Sequence, residues 1–250
     1  MILLFDGSFN GFLTAVFVAY EHKFCAPSLV AEHDYVPSFL TESHTVITDD
    51  AKATRVWQKL QLIFGETRPL LWAFLSEDSA VYSALFAIIR AQLQQPSVAI
   101  LDNYTDPNVR LVQDCVKKVG RERHRVKAFV RFVATSDDVY FAKIEPDFNV
   151  LPIVAYFFAK RFADMPFLIA DLVRGYGIYF DLKTVHLITD IDKAALRDSR
   201  HLYTTEEVHY QHLWQAYFQH ATITARKNRK LHLQQMPRRY WKHLTEKQGR

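Results

Sequence analysis

The feature that most constrains the fold is a change of hydrophobic period near residue 124. Before it, apolar side chains recur at helical spacing. After a short apolar run, Met1 to Phe5, and an Asp6-Gly7-Ser8 turn, they fall at Phe9, Phe12, Leu13, Val16, Phe17 and Tyr20. Further helices are expected at 50–64 (Val56, Leu60, Ile63, Phe64), at 68–75, at 79–94 and at 106–119 (Val109, Val112, Val116, Val119). Asp106-Pro107 opens the last of these as N-cap and first-turn proline. From about 124 the period shortens to two. Val126, Ala128, Val130 and Phe132 alternate with Arg125, Lys127, Phe129 and Arg131, the pattern of a strand with one apolar face and one basic and aromatic face.

The rest of the chain follows from the same reading. Thr135-Ser136-Asp137-Asp138 predicts a turn, and 139–145 the returning strand of a hairpin, with Phe141 and Lys143 on the basic face. A helix follows, opened by Asn149 to Pro152 and carrying Leu151, Val154, Ala155, Phe158 and Phe162. Short strands are then expected at 167–173, 176–181 and 185–188. Strand, strand, helix, strand, strand is an α+β order, a small and mostly antiparallel sheet after a helix-rich first half, and not a βαβ parallel sheet. Helices return at 191–199, at 205–221 with an aromatic face of Tyr210, Leu213, Trp214, Tyr217 and Phe218, near 222–234, and after Met236-Pro237. With 250 residues, 49% of them hydrophobic, the chain can bury a substantial core. It reads as one unit over 1–250, with sub-regions 1–120, 121–190 and 191–250.

Charge is laid out unevenly. Residues 1–116 carry a net charge of −6, 117–131 carry +6, 132–220 carry −4 and 221–250 carry +8. Two short basic blocks on an otherwise acidic chain are the electrostatic footprint of a protein that meets a polyanion, nucleic acid above all. In the first block, GRERHRVKAFVRF (120–132), the expected outward face offers Arg123, Arg125, Lys127, Arg131 and, from the next strand, Lys143 to phosphates, with Phe129 to stack on a base. The second block offers Arg226 and Arg229, then Arg238 and Arg239 beside Tyr240 and Trp241. The plainer alternative makes the phenylalanines core and the cations a solvated rim. The opening carries no basic leader, and the longest apolar runs, Leu70 to Leu75 and Ala84 to Ile89, are too short to span a bilayer, which predicts a soluble cytoplasmic protein without a membrane partner. Cys25 and Cys115 alone provide neither a disulfide framework nor the ligands of an iron–sulfur cluster.

Few residues suggest chemistry. Asp6-Gly7-Ser8 ahead of a helix N-terminus can hold an anion or simply cap that helix. His124 between two arginines can act as a general acid, with Glu145 or Asp147 as its base; both carboxylates can equally cap the next helix or pair with arginine. His209 and His212, with Glu206 a turn earlier, make half of a zinc site that no cysteine pair or HExxH motif completes.

Five stretches carry a resemblance: Asp6-Gly7-Ser8-Phe9 with Phe12 to Val16; Glu122 to Arg125 with Lys127 to Phe132; Glu145-Pro146-Asp147-Phe148 with Val150-Leu151-Pro152; Arg161-Phe162-Ala163; and Met236 to Trp241. Spread over nearly the whole chain, they resemble the bacterial probable DNA metabolism protein family. Its uncharacterised domain is also found fused to uracil-DNA-glycosylase-like proteins, and its genes are associated with a radical S-adenosylmethionine protein thought to modify or repair DNA. Phe5 departs from the tyrosine expected there. The resemblance implies a DNA-related accessory role; with the basic patches and the lack of cluster ligands, the favoured expectation is a DNA-binding subunit, non-catalytic or at most co-catalytic, that presents single-stranded or damaged DNA to that radical enzyme. The iron–sulfur cluster and S-adenosylmethionine would belong to the partner, and this chain would carry no cofactor or metal. The alternatives are a hydrolase or glycosylase using His124 with Glu145 or Asp147, and an adaptor that binds protein alone.

Overall fold

A computed structural model describes residues 1–39, 41–197, 202–223 and 228–247. The chain divides into two compact units, Met1–Gly120 and Arg121–Arg250.

The first unit is built on three parallel strands, β1 (Ile2–Phe5), β2 (Ser28–Ala31) and β3 (Ser43–Thr45), with β1 in the centre. Leu3 stands opposite both Leu29 of β2 and His44 of β3. A parallel pair needs a crossover, and α1 (Phe9–Glu21) supplies it between β1 and β2. Then come α2 (Asp50–Phe64), α3 (Arg68–Phe74), α4 (Ser79–Gln94) and the start of α5 (Pro107–Phe129). Asp49 and Asp78 cap α2 and α4 with their carboxylates. Phe5 is fully buried, its ring 6.0 Å from Phe12 and 5.2 Å from Tyr82. β2 and β3 have no counterpart in the sequence reading. At four and three residues they are too short to display alternation, and pairing with β1 completes them.

In the second unit the remainder of α5 is followed by β4 (Val133–Ala134), β5 (Tyr140–Ile144), α6 (Leu151–Arg161), β6 (Phe167–Asp171), β7 (Tyr176–Phe180) and β8 (Val185–Ile188). Then follow α7 (Lys193–Arg197), α8 (Thr205–Ala221), α9 (Arg229–Gln235) and two 3-10 turns, Arg238–His243 and Thr245–Lys247. The sheet runs β4-β5-β6-β7-β8. Three of its pairings are antiparallel, so the expected α+β class holds. The exception is β5 with β6, parallel across α6 in a βαβ unit that the sequence reading excluded. Phe132 joins Phe158, Phe162 and Phe167 with ring centroids 5.1–5.9 Å apart, and Phe167 meets Phe180 at 5.3 Å, which gives this unit an aromatic core.

The expected strand over 126–132 does not form. Helix α5 runs on to Phe129, and only Val133 and Ala134 pair with β5. Arg, Glu, Lys and Ala are all good helix formers, so extending an existing helix costs less than starting a strand. The helical stripe continues through Val119, Glu122 and Val126, all fully buried, so that a carboxylate occupies one position of the buried stripe. Phe141, expected on the exposed basic face, is also buried, packed with Ala170 and Leu172 and covered by Ile191 and Leu196. No basic, base-stacking strand surface exists here.

Candidate functional site

The fully buried Glu122 needs partners, since a bare carboxylate out of water costs several kcal/mol. It finds them 117 residues away. Arg239 Nη2 donates to Glu122 Oε2 at 2.6 Å and the Tyr240 hydroxyl donates to Oε1 at 2.7 Å. The Asp147 backbone N–H donates to Oε1 at 3.0 Å, and Arg125, one turn on, stands 3.5 Å away. Burial works against the charge on Arg239, yet the Glu122 and Asp147 carboxylates outweigh it and hold the guanidinium more firmly protonated than usual. Burial, reinforced by the adjacent carboxylate, pushes the Tyr240 phenol well above its ordinary range.

Around this hub the 145–149 loop is held from several sides. Asp147 also pairs with Arg239 at 2.9 Å, and Lys242 pairs with Glu145. Arg174, ion-paired to the buried Asp171 at 3.0 Å, donates to the Pro146 and Asp147 carbonyls, while Tyr176 donates to Asn149. His243 Nε2 lies 3.5 Å from Glu145. Burial, with Lys242 and Lys143 nearby and only Glu145 opposing, pulls the imidazole pKa down to about 4. Further along, Arg131 pairs at 3.0 Å with Glu246, which also accepts from the Trp214 indole. Burial tends to raise the Glu246 pKa, but these donors hold it below the ordinary range.

Three motif stretches, Glu122 to Arg125, Glu145 to Asp147 and Arg238 to Trp241, therefore meet in one network. Three of the nine cations expected to meet phosphates are spent inside the protein: Arg125, Arg131 and Arg239 each serve a buried carboxylate. Phe129 packs its ring 5.3 Å from Tyr240, and Trp241 donates to the Met236 carbonyl beneath Arg238 and Lys247. Lys143 is half-buried on β5, Arg229 is exposed at the start of α9, and Arg226 lies outside the described residues. His124 is exposed on α5 and, among the described residues, forms no ion pair with Glu145 or Asp147, which face cations instead.

The remaining candidates also resolve locally. Ser8 caps α1, accepting from the Gly11 N–H at 2.8 Å, and Asp6 accepts from the Ser8 N–H at 2.9 Å and the Thr48 hydroxyl at 2.8 Å. Partial burial alone would raise the Asp6 pKa, but these hydrogen bonds keep it below its usual value. The turn spends its donors on its own cap, and a Cβ at Gly11 would collide with that carboxylate. Among the described residues no group of three or more His, Cys, Asp or Glu side chains is arranged to hold a metal, and no helix is long and apolar enough to cross a membrane.

A basic and aromatic surface is open on α6, and half of it was not singled out in the sequence. On α6, Tyr156 is 68% and Phe157 38% exposed. Lys160 Nζ lies 4.6 Å from the centre of the Tyr156 ring, and Lys127 of α5 reaches over Phe157 at 4.0 Å. Partial burial and the nearby Arg123 charge lower the Lys127 pKa, the mark of two cations crowded on one helix face. Arg161, exposed, extends the row. The available signal was positional: Tyr156, Phe157, Lys160 and Arg161 fall off the buried stripe of α6, and the aromatic residues are two of the bulkiest in the helix.

Residues 79–246 match the model of a family described as Domain of unknown function (DUF4130). No curated protein and no solved structure matches the chain.

Proposed function

The chain thus belongs to the DUF4130 family, and we propose that it is a DNA-binding accessory protein of repair or modification that holds a single strand for a separate enzyme, the radical S-adenosylmethionine protein of the resemblance above. The observation that carries this reading is the ridge of Tyr156 and Phe157 with Lys160 and Lys127 over their rings. Exposed rings are platforms for bases of any sequence, and the lysines and arginines around them neutralise phosphates. Duplex DNA keeps its bases stacked inside, so the ridge favours unpaired strands. The accessory role is supported by Glu145 and Asp147: the carboxylates that would activate a water are engaged by Lys242 and Arg239.

The test is fluorescence anisotropy with labelled oligo-dT and a matched duplex across a salt series. If Arg123, Lys127, Lys160 and Arg161 each meet a phosphate, log K falls with log salt at a slope of about −2 to −3. Tyr156→Ala and Phe157→Ala each weaken single-strand binding by about 1 to 3 kcal/mol at unchanged melting temperature. Binding that is absent at low salt, or indifferent to Tyr156→Ala, refutes the proposal. Processing of damaged DNA by the purified chain alone supports an enzyme instead.

A further inference from the structure

Helices α1, α2 and α4 of the first unit leave a hollow between them that their own side chains do not fill. It measures about 340 Å³, within the size range of small-ligand pockets. Val16, Leu60 and Ile89, all buried, form its floor, and Phe17, Tyr20 and Val56 stand in its walls. The charged residues that line it, Glu21 and Lys59, are exposed and stand at its mouth. Protein interiors pack to the density of organic crystals, and apolar surface left facing water forgoes the gain of burial. A hollow of this kind is stabilised by an apolar occupant.

The lining says which occupant. A nucleobase or a peptide backbone would bring N–H and C=O groups that Val16, Leu60 and Ile89 cannot pair, and an unpaired polar group is costly to bury. An alkyl chain brings none. The mouth adds a preference for charge. Beside Lys59, Lys52 and Arg55 of the same helix lie over the Phe17 ring, 4.9 and 5.8 Å from its centre. Burial raises the Tyr20 pKa and the charge of Arg90 opposes it, which puts a cation of α4 near the Tyr20 wall. The carboxylate of Glu21 is already paired with Lys52, at 2.9 Å. Residues 1–116 are acidic as a whole, so cations from α2 and α4 gathered at one mouth mark a place for an anion. An apolar side chain inserted by a protein partner would fill the hollow and leave that charge unanswered. We propose that this pocket binds a free medium-chain fatty acid, its tail between the three helices and its carboxylate at Lys59.

Titration calorimetry of the full chain with decanoate, kept below the concentration at which it forms micelles, tests this. Decanoate binds at one site, and octanoate binds about tenfold more weakly, because two methylenes are left out of the pocket. Val56→Phe fills the hollow from a half-buried wall position and abolishes binding at the wild-type melting temperature. Lys59→Glu, at an exposed position, weakens decanoate at least ~10-fold yet leaves decanol within twofold, since the alcohol has no charge to lose. Should Val56→Phe melt early, that pair of affinities decides. No binding of decanoate, equal affinity for octanoate, or decanoate indifferent to Lys59→Glu overturns the proposal. Flotation with phosphatidylglycerol vesicles separates the free acid from a lipid surface: capture of the wild type that Lys59→Glu abolishes assigns the mouth to a membrane and overturns it as well.

Discussion

Glu122→Ala removes the fully buried carboxylate to which Arg239 and Tyr240 of the C-terminal segment are anchored. Its magnitude follows from the partners left behind. Tyr240 is buried, so its hydroxyl loses its acceptor with no water to replace it, at a cost of about 1 to 3 kcal/mol. Arg239 keeps Asp147 at 2.9 Å and is partly exposed, so its penalty sits at the low end of the range for a broken buried pair. The Asp147 N–H adds a third lost bond. Together these predict a loss of about 3 to 5 kcal/mol, close to what breaking a buried ion pair costs in general. Glu122→Gln keeps one acceptor oxygen and the shape, and should lose about 1 to 3 kcal/mol. Urea unfolding followed by tryptophan fluorescence gives the totals, provided the m-value is unchanged. Hydrogen exchange locates them: peptides covering 145–149 and 238–247 should lose protection together, those of Met1–Gly120 much less. A Glu122→Ala variant within 1 kcal/mol of wild type, or one whose lost protection lies elsewhere, refutes the anchoring argument.

Two further outcomes follow. His243 is held neutral by burial, with a pKa of about 4 against 6.5 for a free imidazole, so between those values the unfolded chain binds a proton that the folded chain refuses. Stability therefore falls as pH drops from about 6.5 to 4, by up to about 3 kcal/mol from this group, and the difference between wild type and His243→Gln in urea melts at stepped pH isolates it; parallel pH profiles would show that His243 is not the cause. Phe129→Ala strips a half-buried ring from Tyr240 and should cost about 1.5 to 3 kcal/mol while leaving oligo-dT affinity within twofold, measured by melting and anisotropy on one preparation. The strand reading of GRERHRVKAFVRF requires the reverse.

What the sequence revealed depended on whether a residue's partners were near it in the chain. Helices α1 to α4 were readable because their stripes and caps are local: Asp49 and Asp78 cap within three residues, and the apolar spacing needs no distant help. The stretch at 124–132 was not, because alternation of Val, Ala and Phe with Arg and Lys over so short a window satisfies a period of two and of 3.6 alike. What decides between them is Glu122, buried in the stripe by an arginine and a tyrosine 117 and 118 residues away. The same distance hides the role of the basic C-terminal motif, which looks like a phosphate binder until its carboxylate partners are seen. The aromatic residues of α8 misled in the opposite sense. An apolar face ordinarily reports burial, and here it divides: Trp214 and Phe218 meet the 3-10 turn at Thr245–Lys247, while Tyr210, Leu213 and Tyr217 stay exposed.

The most direct test of the central claim, that the α5–α6 ridge and not the motif network touches DNA, is photo-cross-linking with an oligonucleotide carrying 5-iodouracil, followed by mass spectrometry of the linked peptides. Iodouracil joins to aromatic rings on which it stacks, and the two surfaces carry different rings. The account predicts linkage at Tyr156 or Phe157, lost in high salt and abolished by Tyr156→Ala with Phe157→Ala. Linkage at Phe129, Tyr240 or Trp241, with the α6 peptide unmodified, contradicts it.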